Sequence, residues 1–159
     1  MLPTRNEPKR PEPVSKVIYA TTDKQILACF PVMKVLRPHL EAATFLAKVR
    51  RQETAGYRLV FLEEKRSVVS AAGFRVLEFM AWGKVLYVDD LITDPEKRGH
   101  GRAGALLDWL IGQARAEGCG ELHLDTGYQR HAAHRLYLKK GLELSCHHLA
   151  LKLGVGDPG

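Results

Sequence analysis

The chain has little cysteine. Its three, Cys29, Cys119 and Cys146, are scattered and form no CxxC pair. An odd count at such spacing argues against a disulfide framework and against a thiolate zinc site. No apolar run approaches the roughly 20 residues that a membrane helix needs. Residues 1–13 are polar, with four prolines and no apolar segment, which argues against a secretory signal there. The expectation is a cytoplasmic protein without membrane contact. A basic stripe is missing as well. The net charge of +6 favours anionic partners. The basic residues, however, fall in separate segments at 5–10, 48–51, 97–102 and 130–140, without interleaved aromatics. That argues against nucleic acid and for a small anionic ligand. His131 and His134 are one helical turn apart, but a metal needs more ligands than these two, so no metal site is expected.

What is present suits one folded unit. The 159 residues are 45% hydrophobic and 26% charged, ordinary proportions for a globular chain with a real core. Residues 1–14 read as a disordered tail, 15–153 as the folded part and 154–159 as a second tail.

Along the folded part, Val17–Ala20 reads as a strand. Thr21, Thr22 and Asp23 offer cap chemistry for a helix over 24–36, interrupted or ended near Pro31. A second helix is expected from Pro38 to about Glu53, with Leu40, Ala43, Leu46 and Val49 at helical spacing. Strands follow at 57–63, 68–80 and 85–92, joined by the short turns Glu64–Arg66 and Trp82–Lys84. Short turns between strands give an antiparallel meander. A polar loop over 93–101 leads to a helix over 102–117, a strand at 121–125, a helix over 130–140 and one or two last strands within 142–153. Strand, loop, helix and strand over 85–125 form a crossover, which makes the two strands parallel. The fold class is therefore α/β with a mixed, mostly antiparallel sheet.

The loop Arg98-Gly99-His100-Gly101-Arg102-Ala103 is the richest motif. Two glycines allow a ligand to approach the backbone closely. The first N–H groups of the following helix lack intrahelical partners, and the helix dipole adds positive charge there. The result is an anion site, suited to phosphate. A Walker loop needs Lys and Ser/Thr after its last glycine, where this chain has Arg102-Ala103. A dinucleotide loop follows an early strand, which this one does not.

This motif resembles the Gln/Arg-x-x-Gly-x-Gly/Ala signature of the GCN5-related N-acetyltransferases, the GNAT superfamily. Ala133-His134-Arg135-Leu136-Tyr137, followed by Gly141-Leu142, is similar to the family's second signature. The resemblance covers about residues 17–152 and is strongest over 85–142. It implies a parallel strand pair splayed apart to admit CoA, flanked by helices, and an acetyltransferase domain over 15–153. It implies that acetyl-CoA is the co-substrate, held on Arg98, Gly99, His100, Gly101, Arg102 and Ala103. Leu91, Ile92 and Thr93 would pair with the pantetheine arm. The implied reaction is direct acetyl transfer to an amine of a small molecule or peptide in a ternary complex. A CoA-binding sensor without turnover is the alternative. The resemblance also leaves room for a homodimer.

Candidate catalytic residues follow. Tyr137 matches the family tyrosine near the CoA sulfur, and a phenol with pKa about 10 stays protonated at neutral pH and can donate. An amine must lose a proton before it attacks. Asp89 and Asp90 are the acids inside an otherwise apolar strand, each a candidate base, amine anchor or arginine partner. Adjacent strand residues point to opposite faces, so only one of the two is expected to face the acceptor. Arg130 stands where many family members carry Asn, and either a phosphate or Asp125 would be its partner. His147 and His148, on the last expected strand, offer one residue toward the acceptor.

Overall fold

The computed structural model describes residues 16–154. The expected tail at 1–14 lies outside the described residues, as does all but the first residue of the one at 154–159. The chain forms β1 (Val17–Tyr19), α1 (Asp23–Leu36), α2 (Ala42–Glu53), β2 (Arg58–Glu64), β3 (Ser67–Phe79) and β4 (Gly83–Thr93). A single 3-10 turn at Pro95–Lys97 leads to α3 (Arg102–Ala116), β5 (Glu121–Leu124) and α4 (His131–Lys139).

The five strands form one sheet in chain order. β1 to β4 pair antiparallel, and β4 pairs parallel with β5, as the crossover requires. The sheet separates two cores. On one face α1 and α2 cover Leu59, Phe61, Ala71 and Ile92. On the other, Leu106 and Leu110 of α3 pack on Val60, Phe74, Leu86 and Val88. Each of those α3 leucines is fully buried, worth about 1.5–3 kcal/mol apiece.

Thr22 caps α1 through a reciprocal box with Gln25: the Gln25 N–H donates to Thr22 Oγ1 at 3.2 Å, and the Thr22 N–H donates to Gln25 Oε1 at 3.0 Å. Pro31 neither ends nor interrupts α1, contrary to expectation. It sits on the exposed face, so the hydrogen bond it forfeits lies on the solvent side. Buried Cys29, Val32 and Met33 hold the turns on either side of it. α2 begins at Ala42, not Pro38. The preceding linker is spent on burying Leu40, whose carbonyl accepts from Lys34 Nζ at 2.7 Å.

No strand forms in 142–154. The leucine pattern there suits strands, but a strand also needs a ladder, and β5 pairs with β4 alone. Leu144, Leu149, Leu151 and Leu153 stay exposed.

Candidate active site

β4 is where the site is built. It pairs with β5 only from Val85 to Val88. β5 ends at Leu124 while β4 runs on to Thr93. Past Val88 no strand pairs with β4 on that side among the described residues, so Leu91 and Thr93 turn their main chain to an open edge, while the Asp89 carbonyl accepts from Arg37 at 3.0 Å. Beyond this edge lies a cavity of about 470 Å³. Leu91 to Thr93 and the loop residues 98–103 line it, except His100, which is exposed and not part of the lining. Tyr137, Gln129, Arg130 and Leu136 form the opposite wall.

The loop geometry explains its glycines. Gly99 and Gly101 have φ of 84° and 74°, a left-handed conformation that disfavours any side chain. No side chain caps the N-terminus of α3. Arg102 is not a free cation there. Its guanidinium forks onto Glu64 at 2.7 and 2.6 Å and donates to the Lys97 carbonyl at 2.6 Å. It clamps the loop to β2. Arg98 and Arg130 line the cavity without an ion pair among the described residues. Arg130 does not pair with Asp125, which instead meets Tyr87 and, at 3.3 Å, His148.

The placement of the two acids corrects a sequence expectation. Gly73 pairs with Asp90 while the next residue, Phe74, pairs with Val88. Asp89 is thus the extra residue of a β-bulge, which breaks the alternation of faces. Tyr87, Asp89 and Asp90 all line one cleft under α1 and α2, while Val88 and Leu91 pack toward α3. Both carboxylates face the same space. The cleft holds about 420 Å³.

Each acid is held from the protein side. Arg75 Nε reaches the Asp89 oxygens at 3.1 and 3.0 Å, and its Nη2 binds Asp89 as well. Arg75 also donates to Gln52 of α2 at 3.0 Å. Asp90 accepts from Arg37 Nε at 2.9 Å and from the Tyr57 hydroxyl at 2.9 Å. Burial raises the Asp89 pKa above the ordinary carboxylate value, and Arg75 opposes that rise. Burial, then the Asp90 carboxylate, hold the Tyr57 hydroxyl well above its usual range, so it stays a donor. Burial also raises Tyr137, against the charge of Arg130.

Arg37, Lys48 and Arg75 were missed from sequence. An arginine among the apolar residues of β3 was the available signal, because a half-buried guanidinium there needs a carboxylate across the ladder. His147 and His148 do not reach this cleft. They line a separate cavity of about 840 Å³ between β5, α4 and residues 140–149. His134 hydrogen-bonds the Gly127 carbonyl at 2.9 Å. Among the described residues no group of three or more His, Cys, Asp or Glu side chains could hold a metal, and no helix is long and apolar enough to cross a membrane.

The open edge of β4, the glycine loop at the start of α3 and Tyr137 on the far wall enclose one cavity. The family model described as "Acetyltransferase (GNAT) family" matches residues 23–142. The chain belongs to this family. It is 30% identical over 121 residues to the Bacillus subtilis (strain 168) protein named uncharacterized N-acetyltransferase YhdJ, covering 76% of this chain and 85% of that one. The fold is shared with a Trypanosoma brucei acetyltransferase, with TM-score 0.72 and 21% identity over 87% of this chain and 99% of that one. It is also shared with the aminoglycoside N-acetyltransferase AAC(6')-Iy, solved in complex with CoA, with TM-score 0.74 and 15% identity over 89% and 97%. The GNAT resemblance and the α/β fold class read from the sequence both hold.

Proposed function

We propose that this GNAT protein transfers an acetyl group from acetyl-CoA to an amine of a small molecule or peptide, by direct attack in a ternary complex. The observation that carries the proposal is the bulge at Asp89. It turns both acids into a cleft on one side of β4, and the next residues, Leu91 to Thr93, line the phosphate-loop cavity. Acceptor and donor therefore meet along five consecutive residues.

The cradle fits acetyl-CoA. Loop main chain at 98–103 and the guanidinium of Arg130 would hold the phosphates, and the free edge at Leu91 and Thr93 would pair with the pantetheine amides. The bound thioester supplies an activated acetyl carbonyl. Asp89 and Asp90, directly or through water, anchor the amine and accept the proton it loses. The amine nitrogen bonds to the carbonyl carbon as the carbon–sulfur bond breaks. Tyr137, a phenol that is protonated at neutral pH and that burial keeps more firmly so, donates to the departing sulfur.

The test is a thermal-shift titration with acetyl-CoA and CoA, followed by thiol release with a panel of amines. A ligand that binds only the folded state raises the unfolding midpoint. A shift with thiol release for one amine class is the expected result. A shift without release from any amine would move the protein to the non-catalytic CoA-binding reading. No shift at millimolar acetyl-CoA would refute both.

A further inference from the structure

The acceptor cleft has a charge account that does not close. Asp89 is matched by Arg75 and Asp90 by Arg37. Gln52, on the same wall, is taken by Arg75. Lys48 of α2 also lines the cleft. Its Nζ is shielded from solvent and has no hydrogen-bond partner. An ammonium carries three donors and one full charge, and leaving it buried and unmatched is costly. Such a group is kept where a ligand completes it.

From this we infer that Lys48 is the anchor for a negatively charged group on the acceptor, and that the acceptor is an amine bearing a carboxylate: a free amino acid or a close derivative. The inference rests on the acceptor cleft proposed above. Three fixed positive charges, Arg37, Arg75 and Lys48, meet two carboxylates there, so one negative charge is wanted. The attacking form is the neutral amine, so in that form an amino acid brings one negative charge, whereas an amine bearing a phosphate dianion would exceed it. The cleft's volume of about 420 Å³ suits a molecule of amino-acid size. Its polarity is split to match. Asp89 and Asp90 offer acceptors to the amine, and Lys48 offers donors to the acid. Met33, Leu40 and Phe45 supply apolar wall for the remainder. His39 lines the same cleft beside Arg37 and adds a neutral or positive group, never a negative one.

The experiment uses the full chain and pairs of acceptors that differ only in the carboxylate: leucine with leucinamide and isopentylamine, and phenylalanine with phenylalaninamide and phenethylamine. Phosphoethanolamine and ethanolamine form the phosphate arm. The first readout is thiol release from acetyl-CoA. The second is calorimetric binding of N-acetylleucine against N-acetylleucinamide in the presence of CoA, which needs no turnover. Wild type is expected to favour the acid over its amide about tenfold or more, the range of one charge-assisted hydrogen bond. Lys48→Met keeps the aliphatic stem and is expected to erase that preference. It would raise KM for the acid about tenfold, move KM for the amide much less, and leave the affinity for CoA at the wild-type value. Lys48→Arg restores part of the preference. If amines are acetylated but acid and amide perform alike, or Lys48→Met changes neither, the anion site is refuted while acetyl transfer stands. If no amine is acetylated, acetyl transfer fails, and N-acetylleucine binding still decides the anion site: equal or absent binding of acid and amide refutes it. A preference for phosphoethanolamine over every carboxylate also overturns the carboxylate assignment.

Discussion

Gly73→Ala is the substitution whose cost the structure defines most sharply. A Cβ at residue 73 would stand 1.9 Å from Tyr57 Oη, 2.3 Å from Cζ and 2.4 Å from Cε2. Tyr57 is only 3% exposed, so its ring cannot swing aside without displacing its neighbours in the α1–α2 core. The variant must repack, and it must lose or stretch the 2.9 Å bond from Tyr57 to Asp90. Overpacking of this kind costs about 1–3 kcal/mol. A hydrogen bond to a charged group is worth about 1.5–3 kcal/mol, with the low end applying because Arg37 still holds Asp90. The sum is about 2.5–4.5 kcal/mol, a large share of the roughly 5–15 kcal/mol that a domain has. It corresponds to a midpoint lower by roughly 5–18 °C at this chain length. Guanidinium unfolding measures it. Two partner substitutions separate the terms. Tyr57→Phe removes the hydroxyl but leaves the ring carbons in place, so Gly73→Ala remains costly in that background. Tyr57→Leu vacates the space, so Gly73→Ala becomes cheap there and the pair couples. A Gly73→Ala protein within about 0.5 kcal/mol of wild type would refute this reasoning, and with it the account of how the bulge is held.

Two further substitutions address the donor side. Gly101→Asp forces a side chain into φ of 74° and places a carboxylate at the start of α3. Acetyl-CoA affinity should fall at least tenfold, and an unchanged calorimetric Kd would remove the loop from the site. Tyr137→Phe should lower kcat by roughly 10²-fold, the low end for general acid catalysis, while CoA affinity stays near wild type. Equal kcat in both proteins would exclude Tyr137 as the donor to sulfur.

The fold and the grouping of residues around the glycine-loop cavity were legible because they depend on local signals. Alternation, short turns and the glycine loop each report on their own few residues, and Leu91 to Thr93 inherit their place from the loop that follows. The acceptor half was not legible in the same way. Whether Asp89 and Asp90 share a face depends on a bulge opposite Gly73, a residue of another strand against which Tyr57 packs. Lys48 looks like any solvent-facing lysine of an amphipathic helix until α2 is laid against β4. The 142–153 leucines show the converse failure. Their spacing suits strands, but spacing carries no information on whether a partner ladder exists. Pro31 was misread because its cost depends on which side of α1 faces solvent.

Arg75 also sets the basicity of the acid it holds, and the direction is testable at Asp89. Burial raises its pKa above the usual carboxylate value of 3.8, and Arg75 pulls it down. If ionised Asp89 receives the amine proton, kcat/KM rises with pH through that raised pKa. Arg75→Gln removes the opposing charge, so the acid limb should move to higher pH. Arg75→Lys keeps the charge and should leave the limb near its wild-type position. Stability follows the same sign. Between the unfolded and the raised folded pKa the folded state binds more protons, so Asp89 makes folding less favourable as pH rises through that window. In Arg75→Gln the window extends upward, and denaturation curves should show the stability loss continuing to higher pH than in wild type. A purely structural Arg75 would lower stability and kcat without moving the limb. An unmoved limb with intact folding would assign proton acceptance to Asp90 or to solvent, and leave Asp89 as the anchor of β3 to β4 alone.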